Sequence, residues 1–161
     1  MGKFKEVKSS MHHNREEVIE RTIKEYDLLN QLLEKLTDEE WGRPLTRPEG
    51  KDPWTIKDAV AHITHWKSDV VRSARRQRRP PEERALETND ANHLIYLRWH
   101  DRPPHEVLVW HQQVQEEVLV ALREAPDKWF SQKERRKEWP YDLEGHSAYH
   151  RLRDIQRALK S

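Results

Sequence analysis

The chain has 161 residues, enough for one domain with a real core, and its 30 Lys and Arg against 29 Asp and Glu leave a formal net charge of +1. No global field therefore favours nucleic acid, and none is expected as a partner. The absence of cysteine excludes disulfides, thiolate ligands and a cysteine nucleophile and fits a reducing compartment; with no signal-like apolar run and nothing approaching the ~18 apolar residues of a membrane span, a cytoplasmic protein without membrane attachment is expected.

A single domain over residues 1–161 is expected, with 1–13 as a flexible extension carrying His12 and His13. From Asn14 to Leu36 the residues Val18, Ile19, Ile23, Tyr26, Leu29, Leu33 and Leu36 recur at helical spacing with charges between them, which predicts a first helix. Thr37 caps a short turn through Trp41, and Gly42, Pro44, Pro48, Gly50 and Pro53 then break regular structure. Thr55 and Asp58 form a capping-box start for a second helix running through Ala59, Val60, Ile63, Trp66 and Val70 to about Arg76. Between Gln77 and Arg102 the pattern is mixed: Pro80 and Pro81 stop the helix, and a short helix is expected from Ala91 to Trp99.

A third helix follows Pro103 and Pro104, with Val107, Trp110, Val114, Val118, Ala121 and Leu122 on one side. The segment Pro126 to Asp142 reads as an aromatic, basic loop, and a fourth helix from about Leu143 to Lys160 buries Ala148, Leu152, Ile155 and Leu159. Four amphipathic helices must cover one another's stripes, so the expected fold is all-α, a four-helix bundle with long connections. The second link is long enough for a crossover that leaves helices two and three parallel.

Three histidines stand apart by spacing. His62 lies one turn after Asp58, and His146 and His150 form an HxxxH pair whose rings share one helix face. Three neutral nitrogens on a divalent ion would leave a position for water or substrate, the mark of a catalytic site. With 10 histidines in the chain, solvated or hydrogen-bonded core histidines are the competing reading. On a helical wheel His146 and His150 point away from the Ala148, Leu152 and Ile155 stripe, which suits either a site at an open edge of the bundle or plain exposure.

The run Trp54-Thr-Ile-Lys-Asp58-Ala-Val-Ala-His62 followed by Trp66, together with Gly145-His146-Ser-Ala-Tyr149-His150, resembles the DinB/YfiT-like superfamily of metal-dependent enzymes. The resemblance spans roughly Glu16 to Leu159 in helix order and spacing. It implies a four-helix bundle holding a divalent metal, zinc, nickel or iron, on His62, His146 and His150, with a low-molecular-weight thiol as possible co-substrate and a homodimer as assembly. Many relatives continue after the second histidine with Leu-Gly-Gln, where this chain has Arg151, Leu152 and Arg153, which leaves the substrate open.

The remaining candidates divide by position. Tyr149 either donates a hydrogen bond to a developing anion or packs at the bundle edge. His111, on the inner face of helix three, is a second-shell donor, a substrate-facing acid or base, or a hydrogen-bonded core residue, the last being preferred. His65 faces away from the apolar side of helix two and reads as a surface residue; Asp58 reads as a cap before an orienting partner for His62. Trp54 and Trp66 read as core. Arg72, Arg75, Arg76, Arg78 and Arg79 offset a helix C-terminus, and phosphate binding is not expected of them. The functional expectation is a metal-dependent transferase of low-molecular-weight thiols, or a hydrolase, acting on an electrophilic small molecule with Tyr149 and His111 as catalytic candidates. The contrasting expectation is a non-catalytic helical module that binds a ligand or a second copy.

Overall fold

The structure is a computed structural model, and it describes residues 14–46, 51–131 and 152–160. Within them the chain forms α1 (Arg15–Leu33), α2 (Asp38–Trp41), α3 (Ile56–Ala74), α4 (Pro81–Arg84), α5 (Thr88–Trp99), α6 (Pro104–Glu124), α7 (Asp127–Ser131) and α8 (Leu152–Lys160). No strand longer than an isolated Pro44 to Thr55 bridge occurs among them. The all-α expectation holds.

Helices α1, α2 and α3 start where the sequence supplies side-chain acceptors for their first amides. The Asn14 side chain takes the Glu17 amide at 2.7 Å, and Thr37 with Glu40 and Thr55 with Asp58 close reciprocal capping boxes on α2 and α3. α4 and α6 instead place Pro81 and Pro104 in the first turn, where the missing N–H costs nothing. α3 ends on Arg76 at φ 57, with Gln77 N–H returning to the Arg72 carbonyl at 2.8 Å. This is a glycine-type helix stop carried by an arginine.

Packing directions follow from which residues meet. Glu25 meets Lys67, Gln115 reaches the Thr22 carbonyl, and Arg15 reaches the Leu122 carbonyl, so α1 runs antiparallel to both α3 and α6. Lys67 meets Gln115 at the middle while Val70 and Val71 share a cluster with Val114, Val118 and Leu122 beyond it; α3 and α6 are therefore parallel, and their contact is the most extensive among the described elements. The crossover between them carries α4 and α5. Arg43 donates to the Leu159 carbonyl at 2.8 Å, bringing the end of α8 to the start of α3.

The apolar core has two clusters. One gathers Leu29, Leu33, Trp41, Trp54, Ile56, Ala59, Ile63, Val107 and Ile155 around the start of α3; the other gathers Val18, Val70, Ala74, Val114, Val118, Leu122, Trp129 and Phe130 around its end. The segment expected to be a loop after Pro126 opens with α7. Burial of Trp129 and Phe130 fixes that turn against the second cluster, and their aromatic bulk outweighs the loop-like composition. The part of the fourth helix before Leu152, with Ala148, and the 1–13 extension lie outside the described residues.

Candidate functional site

α3 is the central element, and its residues split into two opposed faces. Asp58, His62, His65 and Asp69 stand four, three and four residues apart, which aligns them along one side of the helix. Lys67 lies on the other side, among Ala59, Val60, Ile63 and Val70. Both sides are covered, so α3 is buried nearly all round.

On the first side His62 is 2% exposed. Its ring lies 4.7 Å from that of Trp54 at a 47° tilt and 6.2 Å from that of Trp66 at 70°, so two indoles wall the imidazole. One turn earlier, Asp58 receives the Thr55 amide at 2.8 Å and lies 3.0 Å from His100 Nδ1 at the end of α5. The cap expectation for Asp58 therefore holds, with a second duty towards α5 added. Lys57 ties the same corner by donating to the His100 carbonyl and, at 2.6 Å, to the Arg102 carbonyl. A matching pair joins Asp52 to His93 at 2.9 Å.

His65 corrects the surface expectation: it is 7% exposed and its Nε2 lies 3.3 Å from Glu83 of α4. The crossover folds back over the side of α3 that faces away from the main apolar stripe, so a residue outside that stripe is buried as well. Burial lowers the His65 pKa, with Asp69 and Glu83 opposing and Arg72 and Arg98 reinforcing the shift. Donor atoms of His65, Asp69 and Glu83 lie within 4.8 Å of one another, close enough to share a cation. Yet Arg72 sits 2.9 Å from Asp69, Arg79 3.2 Å from Asp69 and Arg98 3.1 Å from Glu83. Three guanidinium groups already neutralise the two carboxylates, and a divalent ion there would have to displace them. Beside this network opens a groove of about 500 Å³ lined by His65, Arg72, Glu83, Arg98, Trp99 and Trp110 among others. Trp99 and Trp110 stack at 4.0 Å and 5°, with the Arg102 guanidinium 4.5 Å from the Trp99 ring centre.

On the second side Lys67, fully buried, meets Glu25 at 3.0 Å and donates to Gln115 at 3.0 Å. Burial raises the Glu25 pKa, with Lys67 acting against the shift. His111 is 0% exposed. Its ring lies 4.9 Å from that of Tyr26, and neither ring nitrogen has a hydrogen-bond partner among the described residues. Burial, and then the charge of Lys67, holds its pKa well below the usual histidine value, so it is a neutral imidazole. The hydrogen-bonded core reading of His111 thus finds the core but not the bonds, and the residue sits with Lys67.

Of the expected site residues, His62 and His111 are described: His62 lies on α3 between Trp54 and Trp66, and His111 lies on α6 against Tyr26. His146, Tyr149 and His150 lie outside the described residues. Sequence reasoning missed His65, His93, Tyr96 and His100. The four-three-four spacing from Asp58 to Asp69 was the signal available for His65; His93 and His100 had none, because their carboxylate partners Asp52 and Asp58 are distant in sequence, and Tyr96 joins them through its stack on His100.

The fold is shared with solved proteins of remote sequence. The colibactin self-resistance protein ClbS, crystallised in complex with double-stranded DNA, superposes with a TM-score of 0.65 over 91% of this chain and 94% of its own at 15% identity. An uncharacterised protein from Escherichia coli UTI89 superposes with a TM-score of 0.69 over 94% of each chain at 13% identity. No functionally curated protein matches the sequence. The first neighbour overturns the expectation that ruled out nucleic acid, since a protein of this fold is seen on duplex DNA. A net charge of +1 is silent on distribution, and Arg75, Arg76 and Arg78 are exposed together with no ion pair among the described residues. Across residues 24–155 the sequence matches the family model of the mycothiol maleylpyruvate isomerase N-terminal domain, and the chain belongs to that family.

Proposed function

We propose that this protein is a divalent-metal-dependent enzyme of the DinB/YfiT-like kind, with His62, His146 and His150 as the ligands. In this reading it transfers a low-molecular-weight thiol to an electrophilic small molecule or hydrolyses one. The observation that carries the reading is His62 itself, an imidazole 2% exposed on the polar side of α3 and walled by Trp54 and Trp66. A buried imidazole suits zinc, nickel or iron equally, so the donor chemistry fits such an ion without selecting one. Bound there, the metal would supply Lewis acidity and lower the pKa of a coordinated water or thiol. The two indoles exclude bulk water from the imidazole and strengthen every charge interaction beside it. Tyr149 is proposed as a donor at that centre. Residues 1–161 are taken as one domain acting on a small-molecule substrate, and a homodimer is proposed as the assembly, checked by light scattering.

Elemental analysis of untagged protein purified without a nickel column is the test. Near-stoichiometric metal in wild type, lost in His62→Ala and in the His146→Ala/His150→Ala double variant while helicity is retained, supports the reading and justifies screening thiols and electrophiles. Metal-free wild type, or metal retained in His62→Ala, overturns it and favours a non-catalytic module.

One observation favours a second reading, contact with duplex DNA: the exposed Arg75, Arg76 and Arg78 at the end of α3 carry the positive charge that phosphates need. Titration of a duplex at rising salt tests it. Binding that weakens steeply with salt and is lost on replacing the three arginines by alanine supports it; no binding at low salt removes it.

A further inference from the structure

α3 and α5 face each other through two rows at matched spacing. Asp58, His62 and Trp66 stand one turn apart on α3, and Asn92, Tyr96 and His100 stand one turn apart on α5. The ends of the rows are pinned: Trp66 Nε1 donates to Asn92 at 3.3 Å, and Asp58 lies 3.0 Å from His100 Nδ1. The helices are therefore antiparallel here, and Tyr96 and His62 hold the middle positions of the two rows. Tyr96 also stacks on His100, with ring centres 4.4 Å apart and planes 24° apart.

An ionised Asp58 can only accept, so the facing Nδ1 of His100 carries the proton and Nε2 keeps the lone pair when the ring is neutral. The side chain of His100 is 37% exposed while that of Asp58 is 1% exposed, so the fixed nitrogen is the buried one. This is a carboxylate-oriented imidazole in the arrangement that general bases use. Tyr96 supplies a phenol; burial first, then the carboxylates of Asp58, Asp52 and Asp101, raises its pKa and keeps it a donor. Lys57 bonds the backbone of this corner and does not compete for the Asp58 carboxylate.

We propose that His100, held by Asp58, and Tyr96 form the proton-handling pair of the His62 site. The inference rests on the metal-site reading given above. His100 Nε2 takes the proton of an S–H or O–H nucleophile as that atom's electron pair forms a bond to the substrate's electrophilic atom. The bond to the leaving group breaks with its pair moving onto the leaving atom, which regains the proton from His100, while the Tyr96 hydroxyl donates a hydrogen bond to the negative charge that develops between these events.

The full chain loaded with cobalt(II) or zinc tests this by NMR of the histidine and tyrosine ring protons, with His100→Gln and Tyr96→Phe as variants. The expected result is cobalt taken up equally by wild type and both variants, with His100 and Tyr96 resonances displaced in the cobalt form relative to the zinc form. The pH midpoint of the cobalt visible band should also shift in each variant. Cobalt bound with those resonances unmoved, or with the midpoint unchanged in both variants, overturns this pair alone. No cobalt uptake by wild type overturns the His62 reading and the pair with it.

Discussion

The two sides of α3 bury charge in opposite ways. Along the side that carries His62, Asp58, His65 and Asp69 each meet partners from the crossover, and several of those partners reach solvent, as His100 and Arg79 do. Around Lys67 a lysine and a glutamate are enclosed with Gln115 and a neutral His111 that has no hydrogen-bond partner among the described residues. The first arrangement can exchange protons and ligands with the outside. The second is sealed, and its consequences should fall mainly on stability and pH dependence.

The largest test of this contrast is Lys67→Met. It leaves Glu25 buried without its counter-charge and is expected to destabilise the fold by about 3–5 kcal/mol, whereas Glu25→Leu with Lys67→Met should be neutral or stabilising by about 1–4 kcal/mol. Urea denaturation of the three proteins checks this, and a fully stable single variant would mean the sealed side is not sealed.

Acid should expose the next difference. His111 and His65 both have folded pKa values below the ordinary 6.5, so the unfolded chain binds protons that the native chain refuses. Their contribution is fully present above pH 6.5 and is lost as pH falls below it, by up to about 1.4 kcal/mol per pH unit for each group. His111→Phe should flatten the slope between pH 7.5 and 5.5 (values chosen as roughly one unit either side of the histidine range). Comparison with wild type cancels Glu25, whose raised pKa gives the opposite slope above 4.5. An unchanged slope in His111→Phe would place the acid sensitivity elsewhere.

Thr55→Ala removes half of the capping box that opens the polar side and should cost about 1 kcal/mol in thermal or chemical denaturation, with metal content unchanged. The smallest expected effect is at the other end of α3. Arg76→Gly relieves a side chain held at φ 57 and should stabilise by about 0.5 kcal/mol, the left-handed strain exceeding the entropy cost of glycine. If duplex DNA binding weakens in the same variant, the strain is the cost of presenting that arginine.

Much of the architecture could be read along the chain because it is local. Apolar spacing defined α1, α3 and α6, and Asn14, Thr37 and Thr55 marked helix starts that the hydrogen bonds reproduce. Pro104 opened α6 where a proline in a first turn belongs. α7 was not legible, because a five-residue helix has too little periodicity and depends on Trp129 and Phe130 docking on a distant cluster. Of the site, the sequence marked His62 through its place after a capping box and beside two tryptophans. His65 was misjudged and His100 passed over for one reason: a wheel shows which side of a helix an apolar core will cover, and it cannot show that a polar crossover covers the other side.

The sequence by itself therefore determined the long helices α1, α3 and α6, the caps of α1, α2 and α3 and the all-α class, since these depend on interactions within a few residues of each other. The tertiary structure alone decided that α3 and α6 run parallel, that Lys67 finds Glu25 forty-two residues away, and that Asp58 meets His100. Those outcomes rest on long-range packing and charge compensation, which no local spacing encodes.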